Sequence, residues 1–204
     1  MFLFLDVIST IPEFFVIENN KLIIKRKILS KETEKLSDNI IQAYIKLDNE
    51  INLTKNLKKV ALTVGPGSYT SLRVGASFIS GLAISRKLMF CPISANDILN
   101  FKSNNHDLNN VAIYISSAQN QKFICFKNSD GKIEYLKIEN IEQTIPDNIK
   151  SIFYNLEKLK LVHEKSKQYK FIFIDEVLEN LNYLSFTKNT IVEPIYVSNN
   201  KILN

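Results

Sequence analysis

Hydrophobic positions along the chain fall into two patterns: short apolar runs suited to strands and longer stretches with helical spacing. Residues 2–8, 13–17 and 22–29 are rich in Ile, Val and Phe and predict three strands, with Asn19-Asn20 as a hairpin turn. Leu36, Ile40, Ala43, Tyr44, Leu47 and Ile51 then recur every three or four positions, predicting a helix behind a cap at Ser30. Residues 60–64 form a short apolar strand. A glycine loop follows, then a helix over 69–87 and a strand over 89–93. The second half repeats the opening. Strands are predicted over 111–116, 122–126 and 132–138 with Asp130-Gly131 as the turn, starting about 109 residues after their counterparts. A strand over 171–174, a helix from Glu176 and a strand over 191–197 complete the pattern. The reading is an α/β protein of two related lobes, 1–103 and 104–204, packed around a shared cleft. Asn104-Asn105 and Asn109-Asn110 mark the junction.

Composition narrows the class. With 45% hydrophobic residues the chain can build a sizeable core, and no uncharged apolar run approaches the roughly 18 residues of a membrane span. The apolar start, Met1 to Leu5, is cut short by Asp6 and reads as a first strand, not a leader. Cys91 and Cys125 lie in no metal or redox spacing and are expected as reduced, buried thiols of a cytoplasmic protein. The net charge of +5 is confined to residues 21–60, which hold ten basic and five acidic side chains. Lys25-Arg26-Lys27 is its densest part. Such a block can approach nucleic acid or can be a solvated strand edge. Only three arginines occur in the chain, which favours the second.

The strongest local signal is Gly65-Pro66-Gly67-Ser68-Tyr69-Thr70-Ser71-Leu72-Arg73-Val74-Gly75. Four of the five glycines fall between positions 65 and 81. Strand, glycine turn and helix is the geometry that cradles phosphate. However, neither a Gly-Lys-Ser/Thr nor a G-x-G-x-x-G spacing is present, and Pro66 removes a donor. A tight structural turn is the favoured reading. Gly75 and Gly81 lie inside the following helix, each costing about 0.8–1 kcal/mol relative to Ala. Val74, Ala76, Phe78, Ile79, Leu82, Ala83 and Ile84 surround them, so the helix is expected to be buried on more than one side. Either it is a central core helix or its glycines admit a second helix.

This loop and helix, after Ala61-Leu62-Thr63-Val64, resemble the signature of the TsaB (YeaZ) family. Tyr69 stands where that family has Phe, and Ser71 where it has Gly. Leu5-Asp6 resembles the family's opening strand. Pro194-Ile195-Tyr196-Val197 resembles its closing one, with Ser198 in place of an Arg. The resemblance implies two ribonuclease-H-like lobes of the actin/Hsp70 ATPase-like superfamily, the second lobe shortened.

In that superfamily each lobe's first hairpin offers an acid and glycines to nucleotide phosphates and magnesium. Here the first, Asp6-Val7-Ile8-Ser9-Thr10, keeps the carboxylate without a glycine. The second, Ser116-Ser117-Ala118-Gln119-Asn120, has neither. The catalytic relative TsaD holds a metal with paired histidines on its first long helix. The comparable stretch here, about 31–51, has none, and His106 and His163 stand alone. Ser68 and Ser71 lack a G-x-S-x-G elbow. No catalytic residue, metal or cofactor is therefore expected on this chain, with ATP and metal left to partner subunits.

The resemblance further implies a scaffold that pairs with a TsaD-type catalytic subunit and is joined by a TsaE-type ATPase. The complex forms threonylcarbamoyladenosine beside the tRNA anticodon, and homodimerisation is an alternative pairing. The expected partner interface comprises Leu36, Ile40, Ala43 and Leu47 of one helix, the loop Gly65, Pro66, Gly67, Ser68 and Tyr69, and Ser71, Leu72, Gly75, Phe78 and Leu82. Lys25, Arg26 and Lys27 are candidates to face tRNA. The rivals are an autonomous phosphotransferase or peptidase, and a direct RNA-binding module.

Overall fold

The computed structural model describes residues 1–31, 33–103, 110–138, 145–155, 166–198 and 201–203. In the first lobe the strands are β1 (Phe2–Asp6), β2 (Glu13–Glu18), β3 (Lys21–Lys27), β4 (Lys59–Gly65) and β5 (Met89–Ser94). They form one sheet in the order β3-β2-β1-β4-β5, with β1 antiparallel to β2 and parallel to β4. Asn19 and Asn20 both take positive φ, 50° and 61°, as a two-residue hairpin turn requires. The central strands are buried on both faces because helices cover the sheet: α1 (Leu36–Ile51), the short α2 (Leu53–Asn56) and α3 (Tyr69–Arg86).

The second lobe repeats this order. Strands β6 (Val111–Ser116), β7 (Lys122–Lys127), β8 (Ile133–Lys137), β9 (Ser151–Tyr154) and β10 (Lys167–Lys170) pair as β8-β7-β6-β9-β10. The internal repeat read from three strands thus extends to the whole sheet. Its shortening lies in the crossovers. Residues 28–58 connect β3 to β4 in the first lobe, but only 138–150 connect β8 to β9. Likewise 66–88 lead from β4 to β5, whereas 155–166 lead from β9 to β10. Helix α4 (Ala95–Ser103) packs against β5, β6 and β7, and Ile98 and Leu99 are fully buried there.

Several expectations need correction. Ser30 does not cap α1. The helix begins at Leu36 after Lys35, and the Ser30 backbone N–H donates to the Glu34 carboxylate at 2.7 Å. Residues 171–174 are not a strand, because α5 (Phe173–Glu179) starts among them and buries Phe173 and Ile174. Residues 191–195 do not form a strand. Only β11 (Tyr196–Ser198) and β12 (Lys201–Leu203) form a small hairpin. The segment ahead of it returns to the first lobe: Thr187 bridges Phe90, and the Ile195 N–H donates to Val64 O at 2.7 Å. Part of the 104–204 portion therefore packs on the other lobe. Helix α4 and strands β9 and β10 were not foreseen. Of the junction, 104–109 lie outside the described residues, as do His106 and His163.

Candidate functional site

One oxygen of the first hairpin's carboxylate is held within the fold. Asp6 Oδ1 accepts the N–H groups of Ile8 and Ser9 at 2.9 and 3.2 Å and the Thr63 hydroxyl at 3.0 Å. Burial pushes its pKa up against these donors, which pull it down. The neighbouring Val7 and Ile8 are wholly buried, so bulky side chains fill the turn. Asp6 thus fastens the β1–β2 turn to β4.

The glycine loop is clamped between the lobes. The Gly65-Pro66 bond is cis, and Gly65 takes φ 125°, where a Cβ would stand 2.6 Å from the Ile195 carbonyl oxygen. A Cβ on Gly67 would meet Ile8 and the Ser117 hydroxyl, both at 3.3 Å. The Ser68 N–H donates to that same Ser117 hydroxyl at 2.9 Å, tying the loop to the second lobe's first hairpin. Here the glycines serve close packing. Gly65, Pro66, Gly67 and Ser68 are interlobe residues and do not form an exposed partner face.

The two long helices overturn the expected partner stripe. Leu36, Ile40, Ala43 and Leu47 are buried inside this chain, as are Ser71, Leu72 and Gly75. A Cβ on Gly75 would come within 2.9 Å of Val7 and 3.0 Å of Leu62. That glycine lets α3 lie close on β1 and β4, not on a second molecule. Phe78 is half-buried, its ring 5.4 Å from Tyr44 and 5.7 Å from Phe14, and welds α3 to α1. Leu82 is half-buried too. Helix α3 is buried on one side only, since Thr70, Arg73, Ser77, Gly81 and Ile84 recur along a solvent-facing strip.

That outer surface holds residues the sequence reading missed. Ile84 is 65% exposed on α3, and Ile41 and Ile45 are 57% and 43% exposed on α1. A Cβ at Gly81 would touch nothing within 4 Å. Arg73 lies 4.1 Å over the Tyr69 ring, which packs 4.7 Å from Tyr196. Tyr69, 48% exposed, is the one expected interface residue left well open. The missed signal was Ile41 beside Ile40: both cannot face one core on a helix, so one must face out.

The basic triplet is partly neutralised. Lys25 pairs with Glu13 at 3.1 Å and Arg26 with Glu50, whereas Lys27 has no ion-pair partner among the described residues. Among the described residues no three His, Cys, Asp or Glu side chains gather as a metal site. None of the described helices is long and apolar enough to cross a membrane. The two thiols are buried as expected.

Residues 27–200 match the family model for TsaD, tRNA N6-adenosine threonylcarbamoyltransferase. Among solved structures, a Pseudomonas aeruginosa protein described as uncharacterized with similarity to peptidase YeaZ superimposes with a TM-score of 0.62. Identity is 12%, with 97% of this chain and 99% of the other covered. YeaZ from Pseudomonas aeruginosa gives a TM-score of 0.60 at 13% identity, covering 96% and 99%. No curated protein matches the sequence.

Proposed function

The chain belongs to the family of the tRNA N6-adenosine threonylcarbamoyltransferase model and has the YeaZ fold, and from this premise we propose that it is the non-catalytic, TsaB-type scaffold of that modification system. The observation that carries the reading is the outer face of α1 and α3. Two adjacent helices present Ile41, Ile45 and Ile84 to solvent beside an open Gly81. Large exposed aliphatic side chains on a rigid helix pair suit a helical partner. The partner proposed is a TsaD-type subunit, which would supply the catalytic metal and ATP chemistry, with a TsaE-type ATPase joining the pair. The internal use of Asp6 supports a subunit without its own magnesium–nucleotide chemistry. Lys27, the cation of the triplet without an ion-pair partner among the described residues, is the proposed contribution to the complex's hold on tRNA.

The test is the affinity of the full chain for a co-expressed TsaD-type subunit, measured for wild type, Ile41→Asp and Ile84→Asp. Each aspartate is expected to weaken binding ten- to a hundred-fold, about 1.4–2.8 kcal/mol, with unchanged circular dichroism of the free chain. Wild-type affinity in both variants would remove this face from the interface. Turnover of Mg-ATP by the isolated chain would replace the scaffold with a phosphotransferase. Tight, salt-dependent tRNA binding by the isolated chain would instead favour an RNA-binding module.

A further inference from the structure

Six exposed cations, Lys55, Lys58, Lys59, Arg86, Lys87 and Lys188, crowd one end of the first lobe, where β4 and β5 begin. Separate segments carry them, and the fold draws these together. The Met89 N–H donates to Lys58 O at 3.3 Å, and Arg86 Nη2 donates to Thr54 O at 3.1 Å. Lys59 Nζ lies 4.5 Å over the Phe186 ring, and Thr187 exchanges backbone hydrogen bonds of 2.8 Å with Phe90. Residues 52–59, 84–89 and 186–189 contain no carboxylate. Of the acids on neighbouring elements, Asp48 Oδ1 accepts the Thr54 N–H at 2.6 Å, and Glu18 stands opposite Lys21 across the β2–β3 hairpin. None of the six cations makes an ion pair among the described residues.

Local structure explains only part of this charge. Lys55 lies in the last turn of α2 and Arg86 in that of α3, where a cation offsets the negative end of the helix. Lys58, Lys59 and Lys188 lie in no helix. Like charges gathered without counter-charges repel one another, so their convergence suits a polyanion that neutralises them.

We propose that this end of the first lobe is a docking surface for the phosphate backbone of RNA. The choice of polyanion rests on the proposed role in a tRNA-modifying system. Five of the six cations are lysines, and the one arginine already donates to Thr54 O. Lysines act as point charges on flexible stems, which suits phosphates and leaves base sequence unread. The surface is distinct from the Lys25-Arg26-Lys27 triplet. In the sheet register Lys59 stands beside Phe2, whereas Lys27 stands beside Glu13, which faces Asp6 at the far end of β1. It adjoins the outer face of α3 instead, since Ile84 and Arg86 share the last turn of that helix. RNA held there would lie alongside a partner docked on the helix pair.

The experiment measures tRNA affinity of the full chain, alone and paired with a TsaD-type subunit, by fluorescence anisotropy over a range of salt concentrations. The chain alone is expected to bind weakly, at about 10–100 μM, as contacts to phosphate do. Lys58→Glu with Lys188→Glu should weaken binding about ten-fold at low salt in both forms. It should also reduce the slope of log K against log salt by about one to two. Both side chains are exposed, so thermal unfolding and pairing with the subunit should stay as in wild type. The control, Lys167→Glu with Lys170→Glu, makes the same change of net charge on exposed residues of β10 and should leave RNA binding unchanged. Wild-type affinity in the first variant, an equal loss in the control, lost pairing in place of lost RNA binding, or tighter binding to phosphatidylserine vesicles than to tRNA would each overturn the proposal. A wild-type chain that does not pair would sink the scaffold reading, and titration of the isolated chain would still decide the RNA surface.

Discussion

Thr63 on β4 donates its hydroxyl to Asp6 on β1 at 3.0 Å while accepting the Val7 N–H at 2.9 Å. Two neighbouring strands are thereby locked together at the start of the β1–β2 turn. Burial raises the Asp6 pKa above 3.8, so the folded chain holds that proton more tightly than the unfolded one. The stabilisation from this proton is fully present below the unfolded pKa. It is lost as pH rises through the higher folded value. Asp6→Asn removes this titration. The stability of wild type relative to the variant should therefore fall as pH rises through that window, measured by urea unfolding at a series of pH values.

The two helical glycines should respond oppositely. Gly75→Leu drives a side chain into Val7 and Leu62 and should destabilise the fold by about 1–3 kcal/mol or more. Gly81→Ala adds a methyl group in open space and should stabilise the helix by up to about 1 kcal/mol. Thermal unfolding of both variants checks the pair. A Gly75→Leu protein as stable as wild type would mean that α3 does not rest on β1 and β4.

Lys102 on α4 pairs with the buried Glu176 of α5. Burial raises the Glu176 pKa, while hydrogen bonding and charge attraction from Lys102 lower it. Lys102→Met leaves the carboxylate without its cation and should cost about 3–5 kcal/mol at neutral pH. Protonating Glu176 removes the stranded charge, so the deficit should shrink as pH falls. Denaturant unfolding of both proteins at neutral and acidic pH measures this.

Both thiols should be inert in the folded chain. Burial, then the nearby Asp97 charge, pushes Cys91 up to about 12, and burial pushes Cys125 up as well. Neither forms appreciable thiolate at neutral pH. Iodoacetamide should leave the native protein unmodified and alkylate both cysteines in denaturant, as read by intact mass.

Much of the architecture was legible locally. Short apolar runs, the Asn19-Asn20 turn and the spacing of Leu36, Ile40, Ala43 and Leu47 follow from backbone geometry and burial, so sequence alone located most strands and both long helices. The repeat of strand starts likewise revealed two lobes. Which surface each helix shows to which neighbour was a different matter. An apolar stripe reads alike whether its own sheet or another molecule covers it, and only the packed fold turned Gly75 onto Val7 and Leu62. Glycine conserves space for whatever comes near, without specifying it. The partners of Gly65 and Ser68, Ile195 and Ser117, lie far along the chain, so long-range folding decided that the glycine loop became an interlobe clamp. The starts of α1, at Lys35 to Ser37, and of α3, at Ser68 to Ser71, meet at one cavity, which was decided in the same way. A helix terminus is written in a few adjacent residues, but the convergence of two depends on the sheet that carries them.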